Sequence, residues 1–295
     1  MPRVDLHTHI LSGLDDGPVT VEESLAMARL AASDGTDIIV ATPHYRDVEL
    51  EHHSSPIVSE LADTLNAALR SDTLRESTPP VRILTGMTHR LDMSLPDLVD
   101  SESAITLNRT RFLLVEPPFS RLPSYVEEVI GRLLTQRLVP VIAHPERNIL
   151  FQQNPNRLQH LVDDGVIVQV ASGSLTGQNG DNARRAAELY IRRGLAHVVS
   201  SEMHSERASR PPQLSEAFEK VVDLVGYPEA IDIFETNPDM ILQGRTPQRE
   251  RVAQSLFKRS WMRKPTIEMS NRIAERTRQS WKRTFRRAMR RTTRG

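Results

Sequence analysis

Short apolar, strand-like runs recur along this chain with helical segments between them, and this alternation limits the possible folds most severely. The runs cover residues 3–6, 37–41, 81–84, 111–115, 139–143, 166–170 and 197–200. Thr20-Val21-Glu22-Glu23 reads as a capping box that opens a helix carrying Leu25, Ala28 and Ala32, and Gly35 stops it. Further helices are predicted over 56–69, 124–136, 158–164, 182–193, 213–225 and 228–234. Strands joined through helices run parallel with right-handed crossovers. Seven of them suit a closed or nearly closed barrel better than an open two-layer sheet. The fold expected is therefore α/β, a (β/α)7 barrel. Chemistry in such barrels gathers at the C-terminal ends of the strands.

Five of the seven strand ends carry residues able to bind a metal: His7 and His9, His44, Glu116, His144, and Glu202 with His204. On an extended backbone His7 and His9 share a face. Two imidazoles so close suit a transition-metal site. His-x-His alone is a common accident, but five separate strand ends of this kind point to one metal cluster. Asp15-Asp16-Gly17 is by itself a turn sequence, and only this context makes Asp16 a ligand. Arg147, read alone, is a surface ion-pair partner of Glu146. Tyr45 reads as packing, His52-His53 as a solvated loop, and His197 as a structural residue on the far side of its strand.

There is no cysteine, which excludes disulfides, thiolate zinc sites and any cysteine nucleophile. No stretch approaches the roughly 20 apolar residues of a membrane helix. The opening MPRVDLH lacks an apolar signal region, so a cytoplasmic location is expected. Formal net charge is zero but unevenly spread. Residues 258–295 hold 14 Lys/Arg against two acids, and the rest holds 24 basic against 36 acidic residues. The chain reads as an acidic body over 1–245 and, from 246 to 295, a linker and basic, partly helical tail. Trp281, Phe285 and Met289 share one helical face there, after Trp261. Such a tail suits an anionic membrane surface, with a solvated tail, nucleic-acid binding or contact with the acidic body as the alternatives.

The motifs Asp5-x-His7-x-His9-Ile10-Leu11 with Asp15-Asp16-Gly17, Ala41-Thr42-Pro43-His44-Tyr45, Leu113-Leu114-Val115-Glu116-x-Pro118-Phe119, Ile142-Ala143-His144-Pro145-Glu146-Arg147 and Ser201-x-x-His204 follow one another over residues 1 to 245. Together they resemble the polymerase-and-histidinol-phosphatase (PHP) superfamily. More narrowly, they are similar to the manganese-dependent tyrosine-protein phosphatases of bacterial capsule and exopolysaccharide systems. The resemblance implies a distorted (β/α)7 barrel with up to three divalent metals, Mn2+ by expectation. It implies that His7 and His9 hold the first metal with Glu202, that Glu116 and His144 hold the second, and that Asp16, His44 and His204 hold the third. Arg147 is the implied phosphate ligand, and Arg210, with Arg207 as the alternative, a second.

Two departures from the family pattern stand out. The family has Gly-x-Glu after the third strand, and that glutamate bridges the first two metals; this chain has Gly86-Met87-Thr88. A threonine hydroxyl is a poor ligand for a hard ion and cannot bridge two with negative charge. His89 follows, but on an extended segment it points the other way. The family's aspartate before the last histidine is Glu202, which keeps the charge and is one methylene longer.

The activity expected from the resemblance is direct, metal-assisted hydrolysis of phosphotyrosine in proteins, without a covalent enzyme intermediate. The implied substrate is a membrane-associated tyrosine kinase of polysaccharide export, met by a cytoplasmic protein at the inner face of the membrane. The alternatives are a catalytically impaired binding protein, which Thr88 would explain, a small-molecule phosphoesterase, and a nucleic-acid binder led by the tail. A homo-oligomer is left open.

Overall fold

A computed structural model of the protein describes residues 1–45, 56–76, 80–100, 104–119, 123–205 and 212–247. The strands are β1 (Val4–Thr8), β2 (Ile38–Ala41), β3 (Arg82–Thr85), β4 (Thr88–Arg90), β5 (Phe112–Glu116), β6 (Val139–Ala143), β7 (Ile167–Ala171) and β8 (Val198–Ser200). They form two all-parallel sheets, β1-β2-β3 and β4-β5-β6-β7-β8. Each of the seven expected strands is present, and the third is broken in two.

The break lies at Gly86-Met87. Gly86 N–H still donates to the Ala41 carbonyl at 2.8 Å. A Cβ there would lie 2.9 Å from a Leu107 methyl and about as close to Thr42 and Val40. A larger residue there would have to push the Leu107 methyl aside and crowd Thr42 and Val40. After the break the strand pairs onward as β4. Parallel bridges join His44 to Thr88 and Thr8 to Met203. Thr88 N–H donates to the Pro43 carbonyl at 3.0 Å, which links the sheets on one side. Glu202 N–H donates to the His7 carbonyl at 3.0 Å and His9 N–H to the Met203 carbonyl at 2.9 Å, which links them on the other. The result is a seven-position barrel distorted at its third position.

The outer helices include α1 (Val21–Ser33), α2 (Pro56–Glu76), α3 (Val126–Thr135), α4 (Pro155–Asp163), α5 (Asp181–Arg192) and α6 (Ser215–Val225). The capping box of α1 is complete, with the Thr20 hydroxyl on Glu23 N–H and the Glu23 carboxylate on Thr20 N–H. On α3, Val126, Val129, Ile130 and Leu133 recur at helical spacing and are buried against the sheet. Each such side chain contributes about 1.5–3 kcal/mol of burial. The helix expected over 228–234 runs on instead. Tyr227–Ile231 continues through a π turn at Asp232–Thr236 into Asn237–Leu242.

Strand alternation sorts the side chains. On β5, Leu113 and Val115 join the helix-facing core, while Phe112 and Leu114 join Val4, Leu6, Val40 and Val141 in a second cluster. Continuing the period of two puts Glu116 on the same side as Phe112 and Leu114. The amphipathic tail lies outside the described residues. No helix among those described is long and apolar enough to cross a membrane.

Candidate metal centre

The strand ends bring seven of the expected ligands into one cluster, with Asp16 reaching it from the loop after β1. His7, His9 and His144 are each 1% exposed, and His204 and Glu202 are nearly as buried. His7 Nε2 lies 3.2 Å from His9 Nε2. His144 Nε2 faces Glu116 Oε1 at 3.3 Å and Glu202 Oε1 at 3.7 Å. His204 Nε2 faces Asp16 Oδ1 at 3.2 Å. His44 spans the two carboxylates, 3.7 Å from Asp16 and 3.8 Å from Glu116. His9, Asp16, His44 and His204 converge so that one ligand atom from each lies within 4.8 Å of the others. His9 therefore sits between His7 and the Asp16 set.

The other nitrogens of these rings determine what the cluster can do. His9 Nδ1 donates to Asp15 Oδ2 at 2.6 Å, His204 Nδ1 to the Glu202 carbonyl at 2.7 Å, and His7 Nδ1 to Gln169 Oε1 at 3.1 Å. Each contact fixes the proton on Nδ1 and leaves a lone pair on Nε2. The His7 and His9 lone pairs then face each other at 3.2 Å, and the His204 lone pair faces a carboxylate oxygen. Among the described residues, the buried Nε2 atoms of His144 and His204 have no partner in good hydrogen-bond geometry, although each faces a carboxylate oxygen. Lone pairs aimed at one another and at carboxylates repel unless a cation lies among them. Imidazole held from behind by a carboxylate, carbonyl or amide is the usual arrangement of a metal-ligating histidine. Mixed imidazole and carboxylate donors suit Mn2+, Fe2+ or Zn2+. The residues present therefore fit divalent metals.

The electrostatics agree. Burial pushes His7 down to about 4, and burial with neighbouring His204, His7 and His44 pushes His9 well below its ordinary value. Both are neutral at pH 7, the form that binds metal. Burial works against a charged His144, but Glu202 and Glu116 outweigh it and hold its pKa up. Contact with His204 holds the Asp16 carboxyl well below the usual range. Burial works the other way on Glu116, and His144, His44 and His7 outweigh it to keep that carboxyl low.

Local backbone shape aims these groups. His144 and Glu202 are non-glycine residues with positive φ, 33° and 55°. Such conformations are costly for ordinary residues and gather at functional sites. Gly17 is set against His9: a Cβ there would lie 2.2 Å from the His9 carbonyl oxygen. The Asp15-Asp16 turn can fold over the cluster only with glycine at its end.

Arg147 is placed on the cluster's rim, and its Nη1 donates to both oxygens of Glu202, at 2.5 and 2.7 Å. It does not pair with Glu146, the partner its isolated reading suggests. The Glu146 carboxylate is buried, accepting from Ser174 Oγ at 2.6 Å and Ala171 N–H at 3.0 Å, and burial pushes its pKa up. Arg147 also stacks on Phe119, 4.6 Å from the ring centroid. Phe119 in turn stacks on His144. From Arg147 a groove of about 480 Å³ extends between Phe119 and Ile149 to the start of α5.

Thr88 points into the centre, with Oγ1 at 3.5 Å from His7 Nε2, but its hydroxyl donates to the Thr42 carbonyl at 2.9 Å. His89 faces away, its Nε2 donating to the Ile105 carbonyl at 3.0 Å and its ring against Tyr45. His197 accepts from Val168 N–H, remote from the ligands. Arg207, Arg210, His52 and His53 lie outside the described residues.

Sequence reasoning missed Asp15, Gln169 and Asp5. Gln169 had a signal: it is the one polar side chain in the run 166–170. Nothing in Asp15-Asp16 distinguishes the buried carboxylate from the exposed one. Asp5 accepts from Ser201 N–H at 3.0 Å and ties β1 to the loop after β8.

A parallel barrel whose strand ends converge as histidines and carboxylates with inward lone pairs has the donor set of a barrel metal site. Residues 3–243 match the family model for capsular polysaccharide synthesis, CpsB/CapC, and the chain belongs to that family. It is 34% identical over 202 residues to the tyrosine-protein phosphatase YwqE of Bacillus subtilis, covering 68% of this chain and 77% of that one. It is 28% identical over 246 residues to the tyrosine-protein phosphatase CpsB of Streptococcus pneumoniae, covering 81% and 98%. A solved structure from work on YwqE and CpsB, described as unique metal-dependent tyrosine phosphatases, superposes with a TM-score of 0.77 at 31% identity, over 84% of this chain and 97% of that one. A lactonase from Listeria monocytogenes shares the fold alone, at TM-score 0.52 and 14% identity.

Proposed function

We propose that this protein is a metal-dependent phosphatase that hydrolyses phosphotyrosine in proteins, with Mn2+ as its metal. The observation that carries the proposal is the set of inward Nε2 lone pairs on His7, His9 and His204, each fixed by an acceptor on Nδ1. His7, His9, Asp16, His44, Glu116, His144, Glu202 and His204 would hold the metals. Bound there, the metals supply an activated water and offset charge on the phosphoryl oxygens.

The chain's own residues do the rest. Asp15 and Gln169 hold His9 and His7 in the tautomer that presents Nε2 inward. Arg147, at the rim and stacked on Phe119, offers a forked guanidinium to the phosphate, and Arg210 is proposed beside it. The groove between Phe119 and Ile149 would receive the polypeptide that flanks the phosphotyrosine. A tyrosinate leaving group has an ordinary pKa near 10 and needs only modest acid help.

The net positive charge of residues 258–295 supports contact with anionic lipid. A membrane-associated tyrosine kinase of capsular or exopolysaccharide synthesis is the substrate proposed there, and the cytoplasm the location. Thr88 favours a second reading, a binding protein without turnover. Chelating the protein, restoring Mn2+ and following release of phosphate from a phosphotyrosine peptide separates the two. Turnover that returns with Mn2+ supports the phosphatase. Stoichiometric peptide binding without turnover supports the second reading.

A further inference from the structure

Glu202 stands where the separate ligand groups of the centre meet. One of its oxygens lies 3.7 Å from His144 Nε2, which itself faces Glu116. The His7 and His144 rings stack with centroids 5.6 Å apart. The carboxylate thus faces His144, which pairs with Glu116, and the ring stacked on that imidazole is His7, which pairs with His9.

Its backbone is held in place. Glu202 has φ of 55°, its N–H donates to the His7 carbonyl, and its own carbonyl accepts the His204 Nδ1 proton. The side chain is 4% exposed and aimed into the centre. Arg147 Nη1 lies 2.5 and 2.7 Å from its two oxygens, so a cation already occupies the fork of this carboxylate. Thr88, across the same space, has spent its hydroxyl proton on the Thr42 carbonyl and brings no negative charge to His7.

We propose that Glu202 is the bridging carboxylate of this centre, one oxygen serving a cation at His7 and His9 and the other a cation at His144 and Glu116. Its extra methylene relative to aspartate, about 1.5 Å of reach, lets a residue after β8 span a gap that Thr88 leaves open. With a cation on Glu202, the Arg147 guanidinium that now holds both of its oxygens would be released to a phosphate. The inference rests on the metal centre proposed above but not on its turnover.

The test counts and couples metals rather than measuring activity. Metal-free full-length protein is loaded with Mn2+, bound metal is measured by equilibrium dialysis, and electron paramagnetic resonance reports its environment. Two Mn2+ ions sharing a carboxylate are spin-coupled and lose the resolved hyperfine pattern of isolated ions. Wild type is expected to show a coupled pair. Glu202→Asp should lose the coupling and bind that pair about tenfold or more weakly, while retaining the metal at Asp16, His44 and His204, which also reports that the barrel is folded. The double variant Thr88→Glu with Glu202→Asp should regain the coupled pair. A fully loaded wild type with only isolated Mn2+ signals overturns the proposal. So does a Glu202→Asp variant with an unchanged coupled pair. An enzyme that loads a coupled pair yet releases no phosphate contradicts the phosphatase reading and leaves this one standing.

Discussion

Replacing Asp15 with asparagine tests the second layer of the centre without touching a proposed ligand. The Asp15 side chain is closed off from solvent. Its Oδ2 accepts from His9 Nδ1 at 2.6 Å and from the His44 backbone N–H at 3.0 Å, and its Oδ1 accepts from Gly17 N–H at 3.1 Å. In Asp15→Asn, with the amide oxygen kept on Gly17, the introduced NH2 would face two donors. His9 escapes the clash by moving its proton from Nδ1 to Nε2, which removes the inward lone pair. A hydrogen bond to a charged group is worth about 1.5–3 kcal/mol, and losing such a support behind a metal ligand weakens binding about 10- to 100-fold. These agree, since tenfold is about 1.4 kcal/mol. Calorimetric titration of metal-free protein with Mn2+ should show the site that includes His9 weakened by that factor, and the Glu116 and His144 site little changed. Equal affinity of Asp15→Asn and wild type at every site would show that Asp15 does not set the His9 tautomer.

Other perturbations have equally definite outcomes. Burial raises the Asp5 carboxyl from 3.8 to about 6, so between those values the folded state binds more protons than the unfolded one and stability falls as pH rises. The rise corresponds to at most about 3 kcal/mol. Asp5→Asn keeps an acceptor for Ser201 N–H, so urea unfolding in chelator from pH 4 to 6 should show the stability difference between variant and wild type shift by up to that amount; parallel curves would refute the burial argument. Gly17→Ala drives a methyl into the His9 carbonyl oxygen. It should cost Mn2+ affinity, by equilibrium dialysis, with the melting temperature lowered only by a few degrees. Arg147→Ala should reduce kcat/KM on a phosphotyrosine peptide about 100-fold while Mn2+ binding is not weakened, because Arg147 shares Glu202 with no proposed ligand function of its own.

Much of this molecule was legible in the sequence because alternation and strand-end chemistry are local signals. The seven runs became seven barrel positions, and the proposed metal ligands lie together. The break in the third strand was not legible, because it depends on how closely Leu107, Thr42 and Val40 approach Gly86. The structural partner of Arg147 was hidden for a similar reason. Glu146 is adjacent in sequence, but the tight turn at Pro145–Arg147 sends one side chain inward and the other across to Glu202. The residues behind the ligands were hidden too. Asp15 and Gln169 are commonplace residues until the fold sets them against His9 and His7.

These inward lone pairs are proposed to hold the metals with which the protein cleaves phosphotyrosine. The most direct measurement is phosphate release from a phosphotyrosine peptide by metal-free protein as Mn2+ is added stepwise, beside His144→Ala. Activity should rise with bound Mn2+ in wild type, level off when the centre is full, and be absent from His144→Ala at every loading. Activity that is undiminished in metal-free protein, or equal in His144→Ala, would contradict that proposal.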